Sequence, residues 1–463
     1  MYLGLKQSGL TLGEAADFCG GKLVGADAGA RFFSYSTDSR KVSGGELFFA
    51  LSGEKFDAHA FVPGVISAGA LCAVVSKPQE SGIPHILVSD TRTALGAFAK
   101  NYYARFRSLT VGVTGSVGKT TTKEFIAAVL AEKYETAKTA GNFNNEIGLP
   151  MTLLAFEAPK NALVAEMGMS ARGEISRLTR IARPDIAVIT NVGSSHLENL
   201  GTRENIALAK LEITEGLSEG GVLIANGDEP LLAHAKSIFK NTLFVSLLDK
   251  KCDYFAYNIK EEYGFTSFTY NSPKHTGESV TLPTHGRHNV YNALCAIAVG
   301  EAAGLTPDEI RAGLLAFKGA AMRAEAKKRG DVTVVEDCYN ASPESMRASL
   351  SVLCSGAYGG GRKVAFLGEM RELGAGSARM HFDVGVYAAE SGVDILFTFG
   401  AGAEEIARGA LSAGMKEENV FRITDAENAD AAAEKLKETI KKDDVILFKA
   451  SRALRLERVS ANI

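Results

Sequence analysis

Short apolar, β-branched runs alternate along this chain with stretches in which apolar residues recur every three or four positions. That rhythm predicts a doubly wound α/β protein. In the first block, strands are predicted over 46–51, 70–75 and 85–88. An amphipathic helix over 93–106, with Leu95, Phe98 and Tyr102 on one face, closes it. The second block opens with a strand over 109–113, a turn over 114–118 and a helix carrying Phe125, Ile126, Val129 and Leu130 on one face. It continues with strands over 162–165, 186–190 and 222–225. A less regular stretch, 252–284, with Phe265, Phe268 and Tyr270, reads as a small antiparallel insert, and a helix over 289–303 leads to a boundary near Lys318. Strands over 332–336, 364–367, 395–399 and 445–448 make the third block Rossmann-like. No G-x-G-x-x-G follows its first strand, which argues against a dinucleotide. The expected architecture is α/β with three domains, 1–107, 108–318 and 319–463, the central one a P-loop ATPase-like parallel sheet.

Length agrees, since 463 residues at roughly 150 per domain make about three. With 46% apolar and 23% charged residues the chain has ample material for several cores. A net charge of −3 with scattered Lys and Arg gives no field for nucleic acid, so anionic substrates must be held by local groups. Six widely spaced cysteines, none in C-x-x-C, read as buried thiols in a reducing compartment rather than as a zinc site or disulfides. The N-terminal stretch shows no basic segment followed by an apolar run, and no run of about 18 apolar residues occurs, so a cytoplasmic protein with no membrane partner is expected. A monomer is the working expectation.

The strongest local signal is Thr114-Gly115-Ser116-Val117-Gly118-Lys119-Thr120-Thr121, between a predicted strand and a predicted helix. Small residues there let backbone N–H groups turn inward around phosphate oxygens. Lys119 would reach the β- and γ-phosphates, and Thr120 would ligate Mg²⁺. Val113 stands where the general P-loop has Gly, which marks a T-G-x-x-G-K-T subclass. The segment predicts a nucleoside triphosphate site but does not separate motor, GTPase, kinase and ligase. No N-K-x-D segment supports a GTPase.

Groups at the carboxyl ends of parallel strands gather beside such a loop. Glu166 ends one predicted strand and His196 lies just past another, so both are candidate ligands for a second divalent ion. Taken singly, a strand-end Glu is more often a solvated surface group and a loop His more often structural; their joint placement after a P-loop favours function. Lys210, judged by patterning alone, reads as an ordinary helix-surface lysine.

Together these residues resemble the Mur ligase family, over nearly the whole chain. The P-loop, the loop Gly141-Asn142-Phe143-Asn144-Asn145-Glu146-Ile147-Gly148-Leu149-Pro150, and the Glu166-Met167-Gly168 and His196-Leu197-Glu198 stretches carry the resemblance. It implies an N-terminal α/β UDP-sugar-binding domain and a C-terminal Rossmann-like domain that takes the amine substrate and closes over ATP. It also implies a catalytic set of Lys119, Glu166, His196 and Lys210, two Mg²⁺ ions held by Thr120, Glu166, His196 and Lys210, and carbamylation of Lys210. Asn289 and Asn292 resemble the adenine-side motif, with Asn292 the nearer match. Arg323 is expected to meet phosphate and Asp337 the ribose, although Arg323 alone would read as a surface charge. Ser36, Asp38, Ser39 and Arg40 resemble the segment that holds the UDP-sugar, and 53–59 belongs to the same pattern. Asn142, Asn144, Asn145, Asn340 and Ser451 are further expected substrate contacts. Within the family the best-fitting substrates are UDP-N-acetylmuramoyl-tripeptide and D-alanyl-D-alanine, joined through an acyl phosphate. Three departures are Ala58 and Ala450 where the family usually has Gly, and Ser342 where Asn is expected. The implied hinge is 318–321. Rival readings are a sister ligase with another amine, a P-loop kinase or ATPase, and a degenerate nucleotide-binding scaffold.

Overall fold

The computed structural model describes residues 3–4 (backbone only), 9–53, 56–106, 108–262 and 264–463. Glu54 and Lys55 of the 53–59 segment, Arg107 at the first expected boundary, and most of the first eight residues lie outside the described set. Three large sheets follow one another along the chain.

The first sheet has Ser34–Ser36, Leu47–Phe49, Cys72–Val75 and His85–Leu87 in parallel, edged by antiparallel Leu3–Gly4 and Lys22–Val24. Its closing helix runs Thr91–Tyr103, started by the Asp90 carboxylate, which accepts from the Thr93 N–H at 2.7 Å. Tyr103 at the end of that helix and Phe106 just beyond it pack on the central unit, both set edge-on against Phe156. One continuous apolar core therefore joins the first sheet to one face of the second.

The central sheet runs Thr136–Lys138, Ala162–Glu166, Leu109–Thr114, Ile186–Ile189, Val222–Asn226 and Thr242–Ser246 in parallel. Its order turns back around Leu109–Thr114, the strand that feeds the P-loop, which puts that loop at a topological switch point. The stretch expected as a separate antiparallel insert is antiparallel but not separate. Tyr254–Glu262 pairs in parallel with Thr242–Ser246 and, with Phe265–Asn271 and Thr276–Leu282, extends the same sheet to nine strands. Its alternate residues Ala256, Phe268, Tyr270, Val280 and Leu282 face inward and join the central core, which is what holds it there.

Glu325–Arg329 and Val332–Glu336 form a hairpin that opens the third sheet. Val445–Lys449, Lys363–Gly368, Ile395–Phe399 and Val420–Ile423 continue it in parallel. Its two cores draw only on residues from 322 onward. Apolar packing thus joins the first and second units, while the third carries its own cores.

All six cysteines are free. Four are buried as expected, but Cys252 and Cys354 are only half-buried, a departure from the sequence reading. Among the described residues no helix is long and apolar enough to cross a membrane.

Candidate active site

The helix after the P-loop, Lys119–Leu130, begins at Gly118 with φ 83° and has no side-chain cap. Its first N–H groups are therefore left for a ligand, and the helix dipole favours an anion there. Gly115, at φ 152°, is required by space: a Cβ would lie 1.9 Å from Thr190 Oγ1. The loop is braced from the next strand end, because Asn191 accepts from the Val117 N–H (2.9 Å) and donates to its carbonyl (2.9 Å), and Thr190 Oγ1 donates to the same carbonyl (2.6 Å). Lys119 Nζ donates to Gly115 O at 2.7 Å. Burial pushes the Lys119 pKa down, while Glu166 and Glu372 act against that shift and Arg323 adds to it. Thr114 Oγ1 and Ser116 Oγ are buried without a hydrogen-bond partner among the described residues, and of the two only Ser116 lines the cavity where a nucleotide would sit.

Glu166, the last residue of its strand, is buried and held on every side. Thr120 Oγ1 donates to Oε2 at 2.8 Å, Asn144 Nδ2 to Oε1 at 2.9 Å, and the Glu166 N–H donates to Thr139 Oγ1 at 3.0 Å. Behind it the buried Lys123 donates to Thr139 O at 2.8 Å and lies 3.7 Å from Glu166 Oε2. Thr120 and Glu166 are thus adjacent hard oxygen donors, the chemistry Mg²⁺ takes. Among the described residues no three His, Cys, Asp or Glu side chains gather into a ready cluster, so any such site would need the hydroxyl and other groups.

Lys210 contradicts its patterning: it is 1% exposed within the helix Arg203–Leu211. No described residue pairs with its Nζ, and burial, reinforced by the Lys119 charge, pushes its pKa well below the ordinary lysine value. Burial therefore disfavours the charged form of this amine.

A cavity of about 1010 Å³ opens between the central and third units. Ser116, Val117, Gly118, Lys119, Thr121, Asn144, Asn145, Glu166, His196, Asn289, Asn292, Arg323, Asp337 and Asn340 line it. Arg323 lies over the Tyr339 ring at 4.4 Å rather than free in solvent. Asn292 accepts from Thr122 Oγ1 at 3.0 Å and donates to Asn289 Oδ1 at 3.0 Å, so the pair is fixed against the P-loop helix. Asp337 accepts from Ser349 Oγ and from buried Lys449 Nζ, both at 2.6 Å.

Some expected contacts lie elsewhere. Thr114, Gly115, Thr120, Asn142, Lys210 and Ser451 do not line this cavity. Asn142 is exposed on its loop, and Ser451 Oγ accepts from the Arg371 N–H at 2.9 Å, shaping backbone. Asn145 also has a structural task, accepting from the Gly148 N–H at 2.8 Å at the start of the helix Gly148–Leu154. Asp38, Ser39 and Arg40 line a separate cavity of about 480 Å³ with Thr37, Phe56, Ala58 and Phe61. Ser36 sits behind it as a turn residue, donating to Asp38 O at 2.9 Å. The Arg40 guanidinium holds the Asp38 carboxyl down at about 2.

Sequence reasoning missed Lys123, Thr139, Asn191, Glu344, Glu372 and Lys449. Only Lys123 carried a signal: it falls three residues after Thr120 and three before Ile126, on the face the helix buries.

Known proteins agree with this geometry along the whole chain. The Mur ligase family, catalytic domain, matches residues 34–103; the Mur ligase middle domain matches 113–300; and the Mur ligase, glutamate ligase domain, matches 322–452. A Bacillus subtilis UDP-N-acetylmuramoyl-tripeptide–D-alanyl-D-alanine ligase is 42% identical over 92% of this chain and 91% of its own. The Escherichia coli enzyme of the same name is 36% identical over 97% of each. Among solved structures, MurF from Acinetobacter baumannii superposes with a TM-score of 0.90 at 30% identity over 98% of both chains. MurF ligase from Thermotoga maritima in complex with ADP gives 0.83 at 32% identity over 92% of this chain and 96% of that one. Identity at this level, sustained across all three units, makes the chain a member of the Mur ligase family.

Proposed function

We propose that this chain joins D-alanyl-D-alanine to UDP-N-acetylmuramoyl-tripeptide, converting ATP to ADP and phosphate, to give the UDP-muramoyl pentapeptide used for peptidoglycan. The observation that carries this is the pairing of full-length identity to relatives of that name with a braced P-loop facing Glu166 in an inter-unit cavity. The relative that contains ADP supports ATP as the nucleotide. A nucleotide-linked precursor and ATP both belong to the cytoplasm, where we place the reaction.

Residues 1–107 take the UDP-muramoyl end, through Asp38, Ser39 and Arg40, 108–318 the ATP phosphates, and 319–463 the amine and the far side of ATP. The tripeptide carboxylate attacks the γ-phosphorus, and the bond to the ADP oxygen breaks. The amine of D-alanyl-D-alanine then adds to the acyl phosphate, and phosphate leaves from the tetrahedral species. Two anions meet in the first step, so neutralising charge is the main catalytic task. Lys119 would turn from its own loop carbonyls to the β- and γ-phosphates, and Arg323 would meet phosphate from the third unit. Asn289 and Asn292 would face adenine, Asp337 the ribose, and Asn144, Asn145 and Asn340 the peptide side.

Thr120 for one Mg²⁺, and Glu166, His196 and a carbamylated Lys210 for another, are the residues that would hold the metal, whose role is to offset charge on phosphate and carboxylate oxygens. The buried, unpaired amine of Lys210 supports its carbamylation, since that reaction would turn an isolated cation into an anionic oxygen ligand.

The test is phosphate release from ATP and Mg²⁺ with UDP-muramoyl tripeptide, with and without D-alanyl-D-alanine, following the peptide by mass. Release that requires the dipeptide, with product heavier by one dipeptide unit, is expected. Turnover with another amine instead would keep the ligase chemistry and discard this substrate.

A further inference from the structure

The third unit meets the loop after Ile186–Ile189 through two carboxylates rather than through apolar packing. Glu344, at the start of the helix Pro343–Cys354, accepts from the Ser194 N–H at 2.9 Å and the Ser194 Oγ at 2.8 Å. Glu372 comes from the loop after Lys363–Gly368, and its Oε2 lies 2.6 Å from His196 Nδ1. Its carbonyl accepts from the Glu198 N–H at 3.2 Å, which fixes the two loops together. Both partners hold left-handed backbone, His196 at φ 64° and Glu372 at φ 66°, a conformation non-glycine residues adopt only when their surroundings impose it. Glu372 stays half-exposed, so its carboxylate is not a core group, whereas His196 is mostly covered.

As it stands the contact is close but out of line for a hydrogen bond, Nδ1 having no hydrogen-bond partner among the described residues; once aligned, a carboxylate on one imidazole nitrogen would fix the proton there and leave the other nitrogen its lone pair for a metal. We infer that Glu372 is a positioning residue for His196, supplied by the third unit, so that the second-metal site acquires its oriented histidine only when that unit is docked. The inference rests on the reading of His196 as a metal ligand. It goes further in making metal affinity, and not only substrate closure, depend on the third unit. The Glu372 side chain thereby ties the proposed amine-substrate domain to the proposed metal ligand.

The experiment titrates Mn²⁺ into the full chain with a non-hydrolysable ATP analogue, reading free Mn²⁺ by electron paramagnetic resonance, and repeats the Mg²⁺ dependence of turnover. Wild type is compared with Glu372→Ala, Glu372→Gln, His196→Ala and Glu344→Ala. Glu372→Ala should weaken one Mn²⁺ roughly 10–100-fold, the range for losing a carboxylate behind a metal-bound histidine. Glu372→Gln, whose amide oxygen could accept from Nδ1 once the two are aligned, should recover most of that, and KM for the UDP-muramoyl substrate should not move. Equal weakening in Glu344→Ala and Glu372→Ala would make Glu372 a docking residue only and overturn the inference. A wild-type Mn²⁺ curve for Glu372→Ala, with a weakened one for His196→Ala, would also overturn it while leaving the metal reading intact. Wild-type curves for both would remove that reading as well.

Discussion

Lys119 and Lys210 show what a sequence discloses about a single residue. Lys119 announces itself through its neighbours, because a Gly-rich turn between strand and helix has few other uses. Its Nζ donates to the Gly115 carbonyl, within the loop it is expected to serve. Lys119→Ala should lower kcat/KM by about 10²–10³-fold, on the order of 2.7–4 kcal/mol, as for loss of one preorganised donor. Steady-state kinetics within tenfold of wild type would remove it from the mechanism. Lys210 gives no such notice, since its helix pattern suits solvent and only tertiary packing buries it. His288 offers a check that is independent of activity. Burial, opposed by Asp337 and aided by Lys449, pushes its pKa down from 6.5 to about 4. The unfolded chain therefore takes up this proton first, and the contribution of a neutral His288 to stability is lost as pH falls from about 6.5 to about 4. Thermal unfolding across that window should show a shallower pH dependence in His288→Asn than in wild type.

Elements with strong periodicity were legible, and their ends were not. The helix expected over 93–106 runs Thr91–Tyr103 because Asp90 caps it, and the strand expected over 364–367 runs Lys363–Gly368. Edge strands such as Glu325–Arg329 escaped notice, since they carry charged residues and little apolar alternation. The extended central sheet escaped for another reason: pairing between Thr242–Ser246 and Tyr254–Glu262 is a tertiary choice no local pattern states. Ser342, where Asn is usual, proves to be a helix cap, accepting from the Ser345 N–H at 3.3 Å in a reciprocal capping box. Both residue types perform that task well, so the departure leaves the element intact. Ser342→Ala should cost about 1 kcal/mol in urea unfolding of the full chain, while Ser342→Asn should cost little.

For the whole molecule, two separate cavities match the two proposed substrate ends. Arg40 lies in the smaller one, away from the nucleotide cavity. Arg40→Ala should therefore raise KM for the UDP-muramoyl substrate several-fold and leave KM for ATP unchanged, which initial-rate kinetics with each substrate varied will decide. The first and second units share an apolar core, whereas the third keeps its own cores and meets its neighbour through a mixture of carboxylate contacts and ring packing such as His285 against Tyr358, as units that move relative to one another do. Motion should concentrate near 318–321, and X-ray scattering should report a smaller radius of gyration with all ligands than with none; unchanged profiles would count against closure. The composition of the chain could not have shown this asymmetry, because it arises from which faces meet.

The two amides that cross the boundary give that motion a clock. The N–H groups of Ser194 and Glu198 point at Glu344 and Glu372 of the third unit and, among the described residues, have no acceptor in their own. Their deuterium uptake must therefore follow docking itself, fast when the units part and slow when they meet. Two positions on one loop would then record how long the enzyme stays shut.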